Sequence, residues 1–186
     1  KGADVRPVFE TSEQTRLGRG FYRTHELQSV AIESSVQAVR KFAEQAKSLH
    51  AAGIRLIATS AVRDAKNSAE FTTGIRSTTG LDVEVISGEQ EADWAFAGVS
   101  SLPRLAGRPL LVLDAGGGST EFVLGENGRV SFKQSYPLGT VRLMEQWDLG
   151  DPPTSDDFQR TQEAICGFLR EEVKPSMAAF LPATDA

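Results

Sequence analysis

The chain of 186 residues holds one cysteine and two histidines. A lone cysteine, Cys166, excludes an internal disulfide framework and any cysteine-rich zinc site. Its place in a helical pattern predicts a buried, inert thiol. His25 and His50 stand apart from the other polar motifs, and neither is expected to ligate a metal. His50 is expected to close a helix, where its partial charge suits the macrodipole. No run approaches the roughly 20 apolar residues of a membrane span, so no membrane association is expected. There is no Gly-Lys-Ser/Thr triplet, hence no Walker phosphate loop, and no strand–GxGxxG–helix fingerprint of a dinucleotide fold. A basic excess is also missing. Net charge is −5, with 14 basic and 13 acidic residues up to residue 108 and 6 and 12 beyond it. A nucleic-acid scaffold carries the opposite balance, so DNA is not an expected partner. No signal peptide is visible, which places the chain in the cytoplasm as an expectation. It starts at Lys1, not Met, and both ends are read as cut.

What is present is ordinary globular composition, 40% hydrophobic and 24% charged, enough for one large domain or two small ones. Val30, Val36, Val39, Phe42, Ala43, Ala46 and Leu49 approximate a 3.6-residue stripe. They predict one long helix over 24–52, stopped by Gly53. Residues 54–59 read as a strand and 60–67 as a loop. Asn67 and Glu70 have capping-box spacing for a helix that ends near Gly80. A strand over 83–86 and a helix over 89–100, opened by Ser87-Gly88, complete an alternation that argues for α/β with a parallel core. From 110 onward the pattern changes to strands over 110–114, 121–125 and 129–136, with Asn127-Gly128 as a hairpin signal. A helix over 140–147 follows. Another, capped by Thr154 or Ser155, runs over 156–173 and is stopped by Pro175. A domain boundary is placed near Arg108. Trp94, Phe96, Trp147 and Phe168 read as core packing.

The stretch Leu110–Gly128 concentrates the chemistry. An apolar strand ends in Asp114; Gly116, Gly117, Gly118, Ser119 and Thr120 follow, then Glu121 and a second apolar strand. Backbone without side chains can approach a phosphate closely and aim several N–H groups at it. The acids at either end suit a hydrated divalent cation, so Mg²⁺ or another divalent cation is the expected cofactor, held by Asp114 and Glu121. Arg16, Arg19 and Arg23 cluster around one loop; a guide for a polyanion and a plain solvated loop are both compatible with that spacing. Arg142, soon after Gly139, is a further candidate to approach phosphate.

DAGGGSTE, Asp114–Glu121, resembles the phosphate loop of the exopolyphosphatase/guanosine pentaphosphate phosphohydrolase (Ppx/GppA) family, where it typically reads DIGGGSTE. Further segments resemble that family in the same order: TRLGRG (15–20), ATSAVRDAKN (58–67), VISGEQEA (85–92) and PLGTVRL (137–143). The resemblance implies an α/β fold of the actin-like superfold shared by sugar kinases and Hsp70, with two ribonuclease H-like domains facing across a cleft. Residues 1–108 would be the first domain lacking its opening strands, and 109–186 the first half of the second. Two family segments are absent: a DxGSNS strand and loop before Lys1, and a GGT-type segment after Ala186. The resemblance therefore also implies that this stretch alone is inactive.

By the same resemblance, Glu91, the last glutamate of ISGEQEA, is the general base that activates water. Its place at the start of a helix leaving a strand's carboxyl end agrees with where ligands of α/β sheets gather. Glu89 is read as an ordinary helix N-terminal acid. Arg63 is placed in the cleft, where a guanidinium can grip phosphate oxygens. Asn67 is read as a helix cap. The implied substrates are inorganic polyphosphate or guanosine pentaphosphate, and the implied assembly is a homodimer, although no interface is legible in the sequence. A phosphotransferase or ATPase of the same superfold, and a non-catalytic polyphosphate or nucleotide sensor, are the alternative functions.

Overall fold

The fold is a computed structural model that describes residues 6–147, 149–150 and 152–180. Thr24 decides how it begins. Its hydroxyl accepts the Glu26 N–H at 3.1 Å, and His25 adopts left-handed φ of 59°. Such local capture competes with helix. The predicted single helix is therefore split into α1 (Phe21–Thr24) and α2 (Ser29–Ser48). His50 follows the end of α2, also at positive φ. β1 (Leu56–Ala58) leads into α3 (Ser60–Asp64), where a loop was expected; the amides of Val62 and Arg63 close onto the Thr59 carbonyl. α4 (Ser68–Thr79) and β2 (Val83–Val85) follow. β1 and β2 pair in parallel, as the alternation predicts. Their covering helices bury Val36, Phe71 and Ile75 with Phe21, Leu27 and Val62.

α5 (Gly88–Ser100) lies across a second, antiparallel sheet of β3 (Leu110–Ala115), β4 (Thr120–Glu126) and β5 (Arg129–Tyr136), in that spatial order. Asn127 and Gly128, φ 53° and 72°, make the tight β4–β5 turn. Side chains alternate between sheet faces with period two. Val112 and Val123 are cross-strand partners and pack with Ala92 and Phe96 of α5. On the other face Phe122 and Tyr136 pack with Val173 and Met177.

α6 (Thr140–Gln146) and α7 (Ser155–Phe168) complete the order, α7 opening with a Thr154–Asp157 capping box. Pro175 does not stop the last helix as expected. The chain widens to a π-helical turn over Leu169–Val173, with the Lys174 N–H on the Leu169 carbonyl, and continues as α8 (Lys174–Met177). Pro175 then sits in a first helical turn, where a missing N–H costs nothing. Cys166 is exposed rather than buried: it stands on the outward side of α7, whose packing is made by Phe168 and the residues after it. Phe96 is buried, whereas Trp94 is half-buried under the Arg55 guanidinium, 4.8 Å from the ring centre. Among the described residues no helix is long and apolar enough to cross a membrane.

Candidate active site

Three pieces converge: the β3–β4 turn, the first turn of α5, and α3. Ser87 caps α5, its hydroxyl accepting from the Gln90 N–H at 3.1 Å. Its carbonyl accepts from the Glu91 N–H at 3.0 Å. That cap fixes Glu91 in the first turn of a helix laid over the sheet. Beneath it runs a row of cross-strand partners, Asp114, Glu121 and Ser135. Such partners share a face, with Cβ atoms about 5 Å apart. Glu121 is 1% exposed, and the Ser135 hydroxyl donates to its Oε1 at 2.7 Å.

A bulge sets this row. The hairpin pairs Glu126 with Arg129 and Gly125 with Val130, but from Leu124 onward the register shifts by one, to Phe132. Without that shift Gln134, not Ser135, would oppose Glu121, and the two would exchange faces. Ser135 is thus a residue that sequence reasoning missed.

The Glu91 carboxyl is held above the ordinary glutamate value. Burial is the main cause, and the charge of Glu121 adds to it. Arg63 opposes both by charge and hydrogen bond, and Asp114 pushes upward again. Three carboxylates and one guanidinium therefore share one electrostatic neighbourhood. Arg63 Nη1 donates to the Ile86 carbonyl at 3.0 Å and reaches Glu91 Oε2 at 3.5 Å. Asp64 extends the network. Its Oδ1 lies 3.4 Å from Arg63 Nε and its Oδ2 3.8 Å from Arg142 Nη2. Arg142 Nε in turn donates to the Gly118 carbonyl at 2.8 Å. Alternating charges so connect Glu91 to the glycine turn. Asp64 gave no signal in the sequence, since its partner Arg142 is remote along the chain. Glu89 is 77% exposed on its side chain, 3.9 Å from Lys133 Nζ.

The turn is tied down through its carbonyls. The Gly116 N–H closes onto the Ser119 carbonyl at 2.9 Å. The Gly116 and Gly117 carbonyls accept from the amides of Thr140, Val141 and Arg142. These bonds leave the amides of Gly117, Gly118 and Ser119 without a backbone acceptor among the described residues. Gly116 and Gly117 are exposed, whereas Gly118, Ser119 and Thr120 are buried. A Cβ on Gly118 would lie 1.8 Å from Tyr22 Oη and 2.1 Å from Ser60 Oγ. The Thr120 hydroxyl donates to the Leu138 carbonyl, so its proton is committed to structure. Asn67 does not cap α4. Its Oδ1 accepts from Leu27 N–H at 2.8 Å and its Nδ2 donates to the Leu27 carbonyl at 3.0 Å, stapling two segments instead.

No three His, Cys, Asp or Glu side chains converge as a metal cage among the described residues. Mg²⁺ does not need one: it commonly takes one or two carboxylates, with waters and substrate oxygens for the rest. The repulsion from Glu121 and Asp114, which adds to the effect of burial on Glu91, is what a cation held by those two acids would relieve, so the donor set fits.

The fold has counterparts among solved structures. An exopolyphosphatase from Cytophaga hutchinsonii is 27% identical, with a TM-score of 0.81 over 89% of this chain and 53% of that one. A Ppx/GppA family member from Aquifex aeolicus is 35% identical, with a TM-score of 0.62 over 78% of this chain and 47% of that one. The α/β fold is the one these exopolyphosphatase and Ppx/GppA structures share. The profile of the Ppx/GppA phosphatase family matches residues 1–180, and exopolyphosphatase 2 of Mycobacterium tuberculosis strain H37Rv is 34% identical over 179 residues, 94% of this chain and 54% of the relative. The chain belongs to the Ppx/GppA phosphatase family. It spans about half the length of the curated relatives it matches.

Proposed function

We propose that the whole protein is a phosphoanhydride hydrolase that releases the terminal phosphate of inorganic polyphosphate or of guanosine pentaphosphate. The observation that carries this reading is the placement of Glu91: a carboxyl with raised proton affinity, beside Arg63 and over the Asp114–Glu121 pair, near a turn with three amides that have no backbone acceptor among the described residues. Gly117, Gly118 and Ser119 would hold the phosphates through backbone N–H groups, with Gly116 closing the turn through its own N–H and Thr120 bracing it. Arg63 would grip phosphate oxygens. Glu91 would orient a water and take its proton as the water oxygen bonds to phosphorus and the bridging P–O bond breaks, its electron pair leaving with the shortened chain. Asp114 and Glu121 would hold Mg²⁺, which supplies charge neutralisation for phosphate oxygens.

The site would lie in a cleft between two ribonuclease H-like domains, residues 1–108 belonging to the first and 109–186 opening the second. We further propose a cytoplasmic homodimer. The test is phosphate release from polyphosphate by the intact protein, without nucleotide. Glu91→Ala should abolish release and preserve polyphosphate binding; undiminished release would refute the base assignment. Strict dependence on ATP would instead point to a phosphotransferase.

A further inference from the structure

The loop over 15–20 plays no part in the chemistry above, yet it is fastened to the candidate site. The Glu145 carboxylate, near the end of α6, accepts the backbone N–H groups of Gly20 and Tyr22. Tyr22 continues inward: its ring lies under the Arg142 guanidinium at 4.4 Å, and its hydroxyl faces Gly118 and Ser60. The first turn of α6 holds the glycine turn, and its last turn holds this loop. At 1.5 Å per residue these two anchor points, Val141 and Glu145, are about 6 Å apart along the helix.

A cavity of about 400 Å³ opens on this loop, lined by Thr15, Arg16, Arg19, Gln28 and Ser34 among others. No carboxylate lines it, and Arg16 and Arg19 are exposed with no ion pair among the described residues. Other arginines here are differently employed: Arg63 and Arg142 face Asp64, and Arg55 holds Glu84. Arg16 also has φ 53°, a left-handed backbone that a side-chain-bearing residue adopts only at a cost. The Arg19 N–H closes onto its carbonyl at 2.9 Å, so the two cations are set on one tight turn. Two unpaired guanidiniums with amide and hydroxyl groups around a hollow are the chemistry of a phosphate chain.

We infer that the Arg16–Arg19 cavity is an accessory subsite for the distal phosphates of a linear inorganic polyphosphate whose end occupies the glycine turn. This rests on reading that turn as a phosphate cradle. The occupant is a bare phosphate chain and not single-stranded nucleic acid, because no aromatic ring among the described residues lines the cavity for a base to stack on.

The test compares long-chain polyphosphate with tripolyphosphate, each titrated into the full chain and its Arg16→Gln/Arg19→Gln variant over a range of salt. Both side chains are exposed, so folding should persist, and a thermal melt checks it. Long-chain affinity should fall on the order of tenfold. The salt slope should drop by about one per arginine, and tripolyphosphate binding should not change. Equal long-chain binding by variant and wild type overturns the subsite, whatever tripolyphosphate does. If tripolyphosphate does not bind the wild type, the cradle reading fails. Arginine-dependent long-chain binding would then keep the subsite as a separate polyanion site, and no long-chain binding overturns both. Tighter arginine-dependent binding of single-stranded RNA than of polyphosphate overturns the assignment to an inorganic chain.

Discussion

Arg63 Nη1 stands 3.5 Å from Glu91 Oε2 while the same nitrogen serves the Ile86 carbonyl at 3.0 Å. The cation is thus held by the backbone at the end of β2, independently of the carboxylate it faces. It moderates a carboxyl that burial and Glu121 push upward. Replacing Arg63 with Gln removes the moderating charge, so the Glu91 pKa should rise further. If the whole protein releases phosphate as proposed, the acid limb of its pH–rate profile should move to higher pH. Carboxyl titration of this chain by NMR should show the same shift without turnover. An acid limb that stays put or moves down would contradict the geometry.

Glu91 also links pH to stability. Its folded-state pKa is raised, so the folded state binds this proton more tightly than the unfolded chain does. The resulting stabilisation is complete below the unfolded value of about 4.5 and is lost as pH rises through the folded value. Glu91→Gln should abolish that loss. The stability of the variant relative to wild type should therefore increase from acid to neutral pH, as read by urea denaturation across the range. A difference that is flat with pH, or that runs the other way, would show that Glu91 is not strained as a carboxylate.

Two glycines of the turn assembly should fail in different ways. A Cβ on Gly139 meets the Gly117 carbonyl group and Gly118 backbone at 2.5 Å, and no side-chain change can open that space. A Cβ on Gly118 meets two hydroxyls, of Tyr22 and Ser60. Both Ala variants should lose about 1–3 kcal/mol in thermal or chemical denaturation. Tyr22→Phe with Ser60→Ala should recover most of the Gly118→Ala loss and none of the Gly139→Ala loss. Equal recovery of both would show that the turn, not its neighbours, yields.

Much of this arrangement was legible in the chain because it is written locally. The Asn127-Gly128 hairpin, the Ser87 opening of α5 and the DAGGGSTE turn each depend on a few adjacent residues, and the parallel β1–β2 pair follows from the alternation of strands and helices. What escaped is set by tertiary pairing. Asn67 has capping spacing, yet Leu27 offers it a backbone donor and acceptor 40 positions away. Ser135 meets Glu121 only because a bulge at Leu124/Gly125 shifts the register, and a hydrophobic pattern does not reveal an inserted residue. Pro175 is tolerated because a wider turn precedes it, a local rearrangement that Pro alone does not announce. Asp64 acquires its place between two arginines only when α6 folds onto α3.

Asp114 and Glu121 differ in burial, and that difference predicts how a cation would act. Asp114 is exposed, whereas Glu121 is buried and already accepts the Ser135 hydroxyl. Entry should therefore depend on Asp114, and Asp114→Asn should fold normally. Mg²⁺ at a hundred times its dissociation constant should stabilise the wild-type chain by about 2.7 kcal/mol, seen as a rise in melting temperature. The Asn variant should show little of that rise. Because Glu121 and Asp114 both raise the Glu91 pKa, a cation between them should lower it. Titrating Glu91 by NMR with and without Mg²⁺ should show a downward shift in the wild type and none in Asp114→Asn. Stabilisation by Mg²⁺ that survives in the variant, with Glu91 unmoved, would place the cation elsewhere on the chain.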